Sequence, residues 1–272
     1  MSEARLQEYK NWLKHVQGLS DVTISTYVSI ARTLELTMSK LGKDRIDREV
    51  IIRALEQYDN PVTKGQLSVS FRKYLTFLGE EALAKELRLP QPRKELEWWW
   101  SVDEVKRIFA ACETDRELVI VSFAYLQAMR RVEISKVRVS DLDLEQAIVR
   151  VRAAKKRGVQ FIIKELYRGG EWYPDQVELL KRYIKENNFT GEDRIVPFTT
   201  VYLNYIFRRI VKRAGVRPAG LHMLRHARAA HLRERGVPID ALARFLGHTN
   251  INTTMIYAHI GPEALRKEIP AP

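Results

Sequence analysis

The stretch Leu221-His222-Met223-Leu224-Arg225-His226, continued by Leu246-Gly247-His248 and closed by Thr253-Thr254-Met255-Ile256-Tyr257, decides the reading of this 272-residue chain. Gly236 stops the segment that begins at His222 and Pro238 opens the next, so these residues are expected on successive short helices. An arginine, imidazoles and one phenol together suit a phosphodiester. A guanidinium fork matches two phosphate oxygens and keeps its charge. An imidazole donates a hydrogen bond or moves a proton near neutrality. A phenol can attack phosphorus and hold it covalently, but its ordinary pKa of about 10 means that its proton must be taken or its oxyanion stabilised.

Charge agrees with a phosphate partner. The net charge is +12 and it is uneven: residues 1–90 carry 14 basic and 12 acidic side chains, residues 91–272 carry 32 and 22. From Arg194 to Arg233 there are nine Lys or Arg and no Asp or Glu, which favours a polyanion over a merely solvated face. No run approaches 18 consecutive apolar residues, so no membrane partner is expected. Met1-Ser2-Glu3-Ala4-Arg5 does not read as a signal peptide, and the single Cys112 forms no internal disulfide; a cytoplasmic location is the expectation.

The first ninety residues read as a small helical bundle. Leu6, Tyr9, Trp12, Leu13 and Val16 recur at helical spacing. Ser20 suits an N-cap for a second helix carrying Ile24, Tyr27, Val28, Ala31 and Leu34, which Gly42 would stop. Val50, Ile51, Ala54 and Leu55 mark a third helix. Leu67, Phe71, Tyr74, Leu75 and Leu78 mark a fourth, closed by Gly79, and a short fifth covers Glu80 to Leu87. Leu89-Pro90-Gln91-Pro92 forbids helix and reads as a linker. Trp98-Trp99-Trp100 is expected to pack at the domain junction rather than to stack on bases.

Beyond the linker, Ser101 to Glu104 fits a capping box, and Leu118 to Ala128 reads as a buried helix leading into Arg130-Arg131-Val132-Glu133. Ala147 to Arg152 alternates as a strand, Val159 to Lys164 is a second, and Lys155-Lys156-Arg157-Gly158 makes a basic hairpin tip between them. Pro174 is expected to open a helix as its first residue, and Ile195 to Phe198 reads as a short strand. Thr199 or Thr200 caps a helix whose outward residues Arg208, Arg209, Lys212 and Arg213 could lie along a DNA groove.

The pattern His222-x-x-Arg225, Leu246-Gly247-His248 and Tyr257 nine residues after His248 resembles the catalytic signature of the tyrosine recombinases, the phage-integrase and Xer family. Leu19-Ser20 with Thr23 and Tyr27 is similar to the opening of that family's core-binding domain. The resemblance implies a mainly α fold with a small β-sheet in two domains. These are a helical core-binding, DNA-binding bundle over 1–88 and, after a linker at 89–100, an α+β tyrosine-recombinase catalytic domain over 101–272 with a short C-terminal tail. It implies a site-specific recombinase that cleaves and rejoins duplex DNA through a 3′-phosphotyrosyl link, in chromosome dimer resolution or in integration and excision of an element. Arg130 with Glu133 matches the family's first arginine, with Arg131 as the neighbouring alternative; Ala128 stands where the family often has glycine. The hairpin lysine falls on Lys155, with Lys156 as the other choice. The catalytic set implied is therefore Arg130, Lys155, His222, Arg225, His248 and Tyr257, and the DNA contacts Lys156, Arg157, Arg208, Arg209, Lys212 and Arg213. The partners implied are double-stranded DNA and further copies of the chain, as a tetramer on paired sites.

Other readings of the same residues are weaker. A zinc set from His222, His226, His231 and His248 lacks the Glu of a His-Glu-x-x-His arrangement, and Arg225 would repel a cation. No metal and no cofactor is expected, and His226 and His231 are assigned to structural roles. A DNA-binding accessory protein without chemistry would not need every signature position filled. A type IB topoisomerase shares the nucleophile but not the small N-terminal bundle with the Leu-Gly-His motif.

Overall fold

The computed structural model describes residues 2–89, 96–152, 161–248 and 250–261. The chain divides into two compact units, Met1–Lys94 and Glu95–Pro272. The division falls inside the expected 89–100 linker, and the three tryptophans belong to the second unit.

The first unit is built from α1 (Ser2–His15), α2 (Asp21–Lys40), α3 (Arg48–Glu56), α4 (Pro61–Phe77) and α5 (Glu81–Glu86). Short polar side chains start them: Ser20 accepts from the Thr23 amide, Asp47 from Val50 and Asn60 from Val62 and Thr63. Their apolar stripes meet in one core around Tyr9, Leu34, Val50, Phe71 and Tyr74. Val16, expected in that stripe, is exposed, because α1 has ended at His15. Glu35, the one buried carboxylate of this core among the described residues, takes a 2.6 Å hydrogen bond from the Tyr74 hydroxyl and an ion pair from Arg5.

The second unit contains α6 (Val102–Ala110), α7 (Asp115–Tyr125), α8 (Arg131–Ile134), α9 (Gln176–Glu186), α10 (Thr200–Ala214), α11 (His222–Glu234) and α12 (Ile239–Leu246). A small antiparallel sheet lies between α8 and α9 in sequence, in the order β1 (Leu142–Asp143), β2 (Ile148–Arg152), β3 (Phe161–Glu165). Its register pairs Val149 with Lys164 and Arg152 with Phe161. The hairpin tip with Lys155, Lys156 and Arg157 lies outside the described residues. The buried α7 and its neighbours Phe109, Leu180, Phe207 and Leu224 form the main core. The tryptophans join this unit. The Trp100 indole donates to the Arg217 carbonyl at 3.1 Å, Trp99 donates to Glu234, and Arg217 sits 4.0 Å above the Trp98 ring.

Two local expectations change. The helix after Pro174 starts at Gln176, because Asp175 accepts from the Val177 and Glu178 amides and so becomes the cap. Ile195 and Val196 are fully buried, but they form no strand: only Arg194 bridges to Arg138, and Pro197 breaks the ladder that would follow.

One turn matters for the site. After α7 the chain reverses at Ala128, whose φ is +50°, and the Met129 amide closes the turn on the Phe123 carbonyl. This left-handed conformation is where glycine is normally placed. Glycine would relieve about 1–2 kcal/mol of steric cost. It would forfeit about 0.8 kcal/mol of buried methyl and ~0.4–1 kcal/mol through the looser unfolded chain. Ala128→Gly is therefore expected to change unfolding free energy by less than about 1 kcal/mol in denaturant titration, the terms being nearly equal and opposite.

Candidate active site

Four segments converge on Arg225. It lies on α11, one turn after His222 and next to His226, and is 2% exposed. Its Nη1 donates to the Ala128 carbonyl, and its Nη2 to the Leu246 carbonyl at 2.7 Å and to His248 Nε2 at 3.0 Å. A guanidinium has five N–H groups, so two are not spent on these bonds. Burial lowers the Arg225 pKa to about 10, which leaves it a cation at neutral pH.

Arg130 enters from the turn before α8. Glu133, 2% exposed, accepts from the Arg130 amide at 2.7 Å and from its Nη1 at 2.6 Å, and lies 3.9 Å from Arg225 Nη1. The Arg130–Glu133 pair is thus not a surface pair: one buried carboxylate stands between two arginines and offsets part of their mutual repulsion. Arg131 faces solvent.

His248 follows the left-handed Gly247 that ends α12. The Gly247 φ of +65° lies in the region that favours glycine, and a side chain there would have to displace the tip of Ile162 on β3. Because Arg225 can only donate, His248 Nε2 must accept, which puts the ring proton on Nδ1, facing Thr254 Oγ1 at 2.8 Å. In this state His248 orients Arg225 rather than presenting a free donor.

Tyr257 sits in a 3-10 turn (Met255–Tyr257), not in an α-helix, and is 1% exposed among Ala128, Leu242 and Leu246. Its hydroxyl is 2.6 Å from Nδ1 of His226. His226, expected in a structural role, thus stands at the Tyr257 hydroxyl; the i+4 step from His222 on α11 was the available signal. His222 packs edge-on against His226 with ring centroids 4.7 Å apart. His231 is structural: it takes the Tyr125 hydroxyl on one nitrogen at 2.8 Å and donates from the other to the Trp100 carbonyl at 2.9 Å.

Desolvation dominates the protonation of the site. It lowers His226 to about 4, helped by Arg225, and His248 to about 4, helped by Arg225 and Arg130. His222 is lowered to about 3 by desolvation, then by His226, Arg225, Arg130 and Arg131, though its exposed edge lets solvent screen part of that shift. Burial pushes the Tyr257 phenol up to about 12 against the opposing pull of Arg225 and Arg130.

The histidine shifts set an acid limit on stability. Each imidazole titrates lower in the folded chain than in the unfolded one, so its contribution is whole above about pH 6.5 and is lost as pH falls towards 4. His226 and His248 are each expected to cost up to about 2 kcal/mol at pH 5 relative to pH 7.5, less what solvent screens. A thermal melt should fall by roughly 5–10 °C between those pH values.

Of the expected DNA contacts, Arg208, Arg209 and Lys212 are exposed on α10. Arg213 is not available. It donates to the Ala111 carbonyl at 3.0 Å and to Glu117 at 2.5 Å and pairs with Glu113 at 3.1 Å, so it ties α10 to the start of α7. Lys155, Lys156 and Arg157 fall outside the described residues.

The model of the phage integrase family matches residues 99–263. The tyrosine recombinase XerA of Thermococcus onnurineus is 31% identical over 276 residues, covering 96% of this chain and 93% of that protein. The chain belongs to the phage integrase family. XerC of Bacillus pumilus is 26% identical over 94% of this chain and 92% of its own. Among solved structures, a lambda integrase dimer bound to a COC′ core site has the same fold, with a TM-score of 0.73 at 17% identity over 94% of this chain and 76% of that one. XerH bound to a palindromic difH substrate, in its post-cleavage complex, gives 0.70 at 17% identity over 97% and 83%. Among the described residues of this integrase-family chain, no helix is long and apolar enough to cross a membrane.

Proposed function

We infer that this chain is a site-specific recombinase that cleaves and rejoins duplex DNA through a covalent phosphotyrosyl intermediate. The observation that carries the reading is the packing of Tyr257, His226, Arg225, His248 and the Arg130–Glu133 pair around one buried point. The relatives' names, XerA and XerC, and neighbours solved on DNA support it.

The chemistry follows from the donors. Arg225 and Arg130 bind the non-bridging oxygens of the scissile phosphate, where charge grows in the transition state. His222, at the open edge of the site, donates a further hydrogen bond. Tyr257 Oη bonds to phosphorus and the bond to the 5′-oxygen breaks, leaving a 3′-phosphotyrosyl link. Lys155 protonates the departing 5′-oxygen. Religation reverses these steps with the 5′-hydroxyl of a second strand, so the link carries the bond energy between strands.

The phenol proton goes to His226. With the phenol near 12 and the imidazole near 4, transfer before attack is uphill by on the order of 10 kcal/mol. Transfer therefore accompanies attack: the phenol grows more acidic as its oxygen bonds to phosphorus, and the phosphate charge favours the imidazolium.

Lys156, Arg157, Arg208, Arg209 and Lys212 are proposed as phosphate contacts; Arg213, held by Glu113 and Glu117, is not among them. Binding should weaken with salt, log K falling about 0.9 per contact per decade. A homo-oligomer acts on paired sites, with four copies as the complete assembly; a lambda integrase tetramer bound to a Holliday junction is a neighbour of the same fold. The setting is the cytoplasm, in chromosome dimer resolution or in integration and excision of an element.

The test incubates the protein with a library of nicked, randomised duplexes, denatures it in detergent and isolates any covalent protein–DNA species. Peptide mapping should find the nucleotide on Tyr257, and sequencing of the trapped DNA should return one preferred site. Salt-sensitive binding with no covalent species would refute cleavage by this chain.

A further inference from the structure

Lys164 is a buried cation that the signature does not include. β3 alternates, but its faces are reversed for an apolar strand: Phe161 and Ile163 face solvent, 43% and 66% exposed, while Lys164 points inward, 5% exposed. Its Nζ donates to the Gln127 carbonyl at 2.7 Å and to the Phe245 carbonyl at 2.6 Å, with the Phe245 ring centroid 4.4 Å away. Arg225 bonds the next carbonyl on each segment, those of Ala128 and Leu246. Two cations therefore clamp the same two stretches of backbone side by side. One stretch delivers Arg130 two residues later; the other delivers His248.

We propose that the Lys164 ammonium is a positioning residue for phosphodiester cleavage, clamping residues 127–128 to residues 245–246 and thereby setting Arg130 against His248. The inference rests on the reading of the site given above. The Gln127 side chain braces the same stretch, since its amide donates to the Glu165 carbonyl and to Gln176, both at 2.8 Å. The charged and titratable groups facing Lys164 are Arg225, Glu133, Arg130 and His248. Burial first, then Arg225, lowers its pKa to about 7, with Glu133 opposing. The clamp thus holds its full charge only towards neutral pH and below, and a bound phosphate anion extends that range upward.

The experiment measures single-turnover formation of the covalent adduct on the nicked duplex recovered above, from pH 6 to 9.5, for wild type and Lys164→Met. DNA affinity and melting temperature are measured on the same samples. Lys164→Met is expected to bind DNA within about threefold of wild type and to cleave roughly 100-fold more slowly, the cost of a misplaced catalytic group. The wild-type rate should climb with pH and then break downward in slope above about pH 7 as the ammonium discharges; the variant should show no break. A variant rate within about threefold of wild type, with the same profile, overturns the proposal. So does a variant that loses affinity, melting temperature and rate together while wild type shows no break. If Lys164→Met does not fold, the wild-type profile decides, its break supporting the clamp and a smooth climb overturning it. No adduct from wild type at any pH would remove the reading of the site, and this role with it.

Discussion

Tyr257→Phe is expected to bind duplex DNA within about twofold of wild type and to form no covalent adduct at any incubation time. The phenyl ring keeps every apolar contact that buries Tyr257 against Ala128, Leu242 and Leu246, so the turn that carries it should stay in place. What disappears is one hydroxyl, which bonds to His226. Losing that hydrogen bond should cost about 1 kcal/mol, a melting shift of a few degrees. The loss of chemistry is complete by contrast, because phosphorus has no other nucleophile to bond. Denaturing electrophoresis beside a melting curve separates the two effects; an adduct in the variant would place the nucleophile elsewhere.

Arg225→Lys should lower the cleavage rate by about a thousandfold or more, while changing DNA affinity little. The guanidinium bonds two backbone carbonyls and His248 while keeping two N–H groups for phosphate. An ammonium has three N–H groups in all, on a flexible stem, so it cannot hold the three partners and bind phosphate too. His248 would lose the donor that faces its Nε2 and be free to turn. Charge is retained, so Glu133 stays compensated and the fold should survive. Arg225→Ala, in contrast, would leave the buried Ala128 and Leu246 carbonyls without their donor, at about 1–3 kcal/mol of stability each, while Glu133 keeps Arg130. Rapid-quench kinetics on a suicide duplex measures the lysine variant; turnover within tenfold of wild type would remove Arg225 from the reacting centre.

The parts of this molecule that were legible in the sequence are those written in local chemistry. Caps such as Ser20, Ser101 and Thr199 name their helices because a short side chain accepts from an amide two or three residues on. The spacing of His222, Arg225, His248 and Tyr257 names the family. Other residues owe their role to long-range neighbours. His226 reads as one more helical histidine until Tyr257, 31 residues on, brings its hydroxyl to the ring. Lys164 reads as the polar end of a strand, and only the return of α12 over β3 turns it inward. Arg213 looks like the fourth member of a basic helix face, yet Glu113 and Glu117, about a hundred residues earlier, claim it. Ile195 and Val196 have strand-like composition but are buried in the core, where pairing stops at the single Arg138–Arg194 bridge.

Trp100 has a consequence for dividing this chain. The motif-based start of the second domain is Ser101, where the capping box begins. A fragment cut there would leave an indole-sized hole among core side chains and take away the carbonyl that receives the His231 ring proton. It would also release Arg217 and Glu234 from Trp98 and Trp99. The edge of the helical pattern and the edge of the packed unit are therefore different places. An excised second unit that is to hold its shape must begin at Glu95 or earlier, with the tryptophans as its first structural layer.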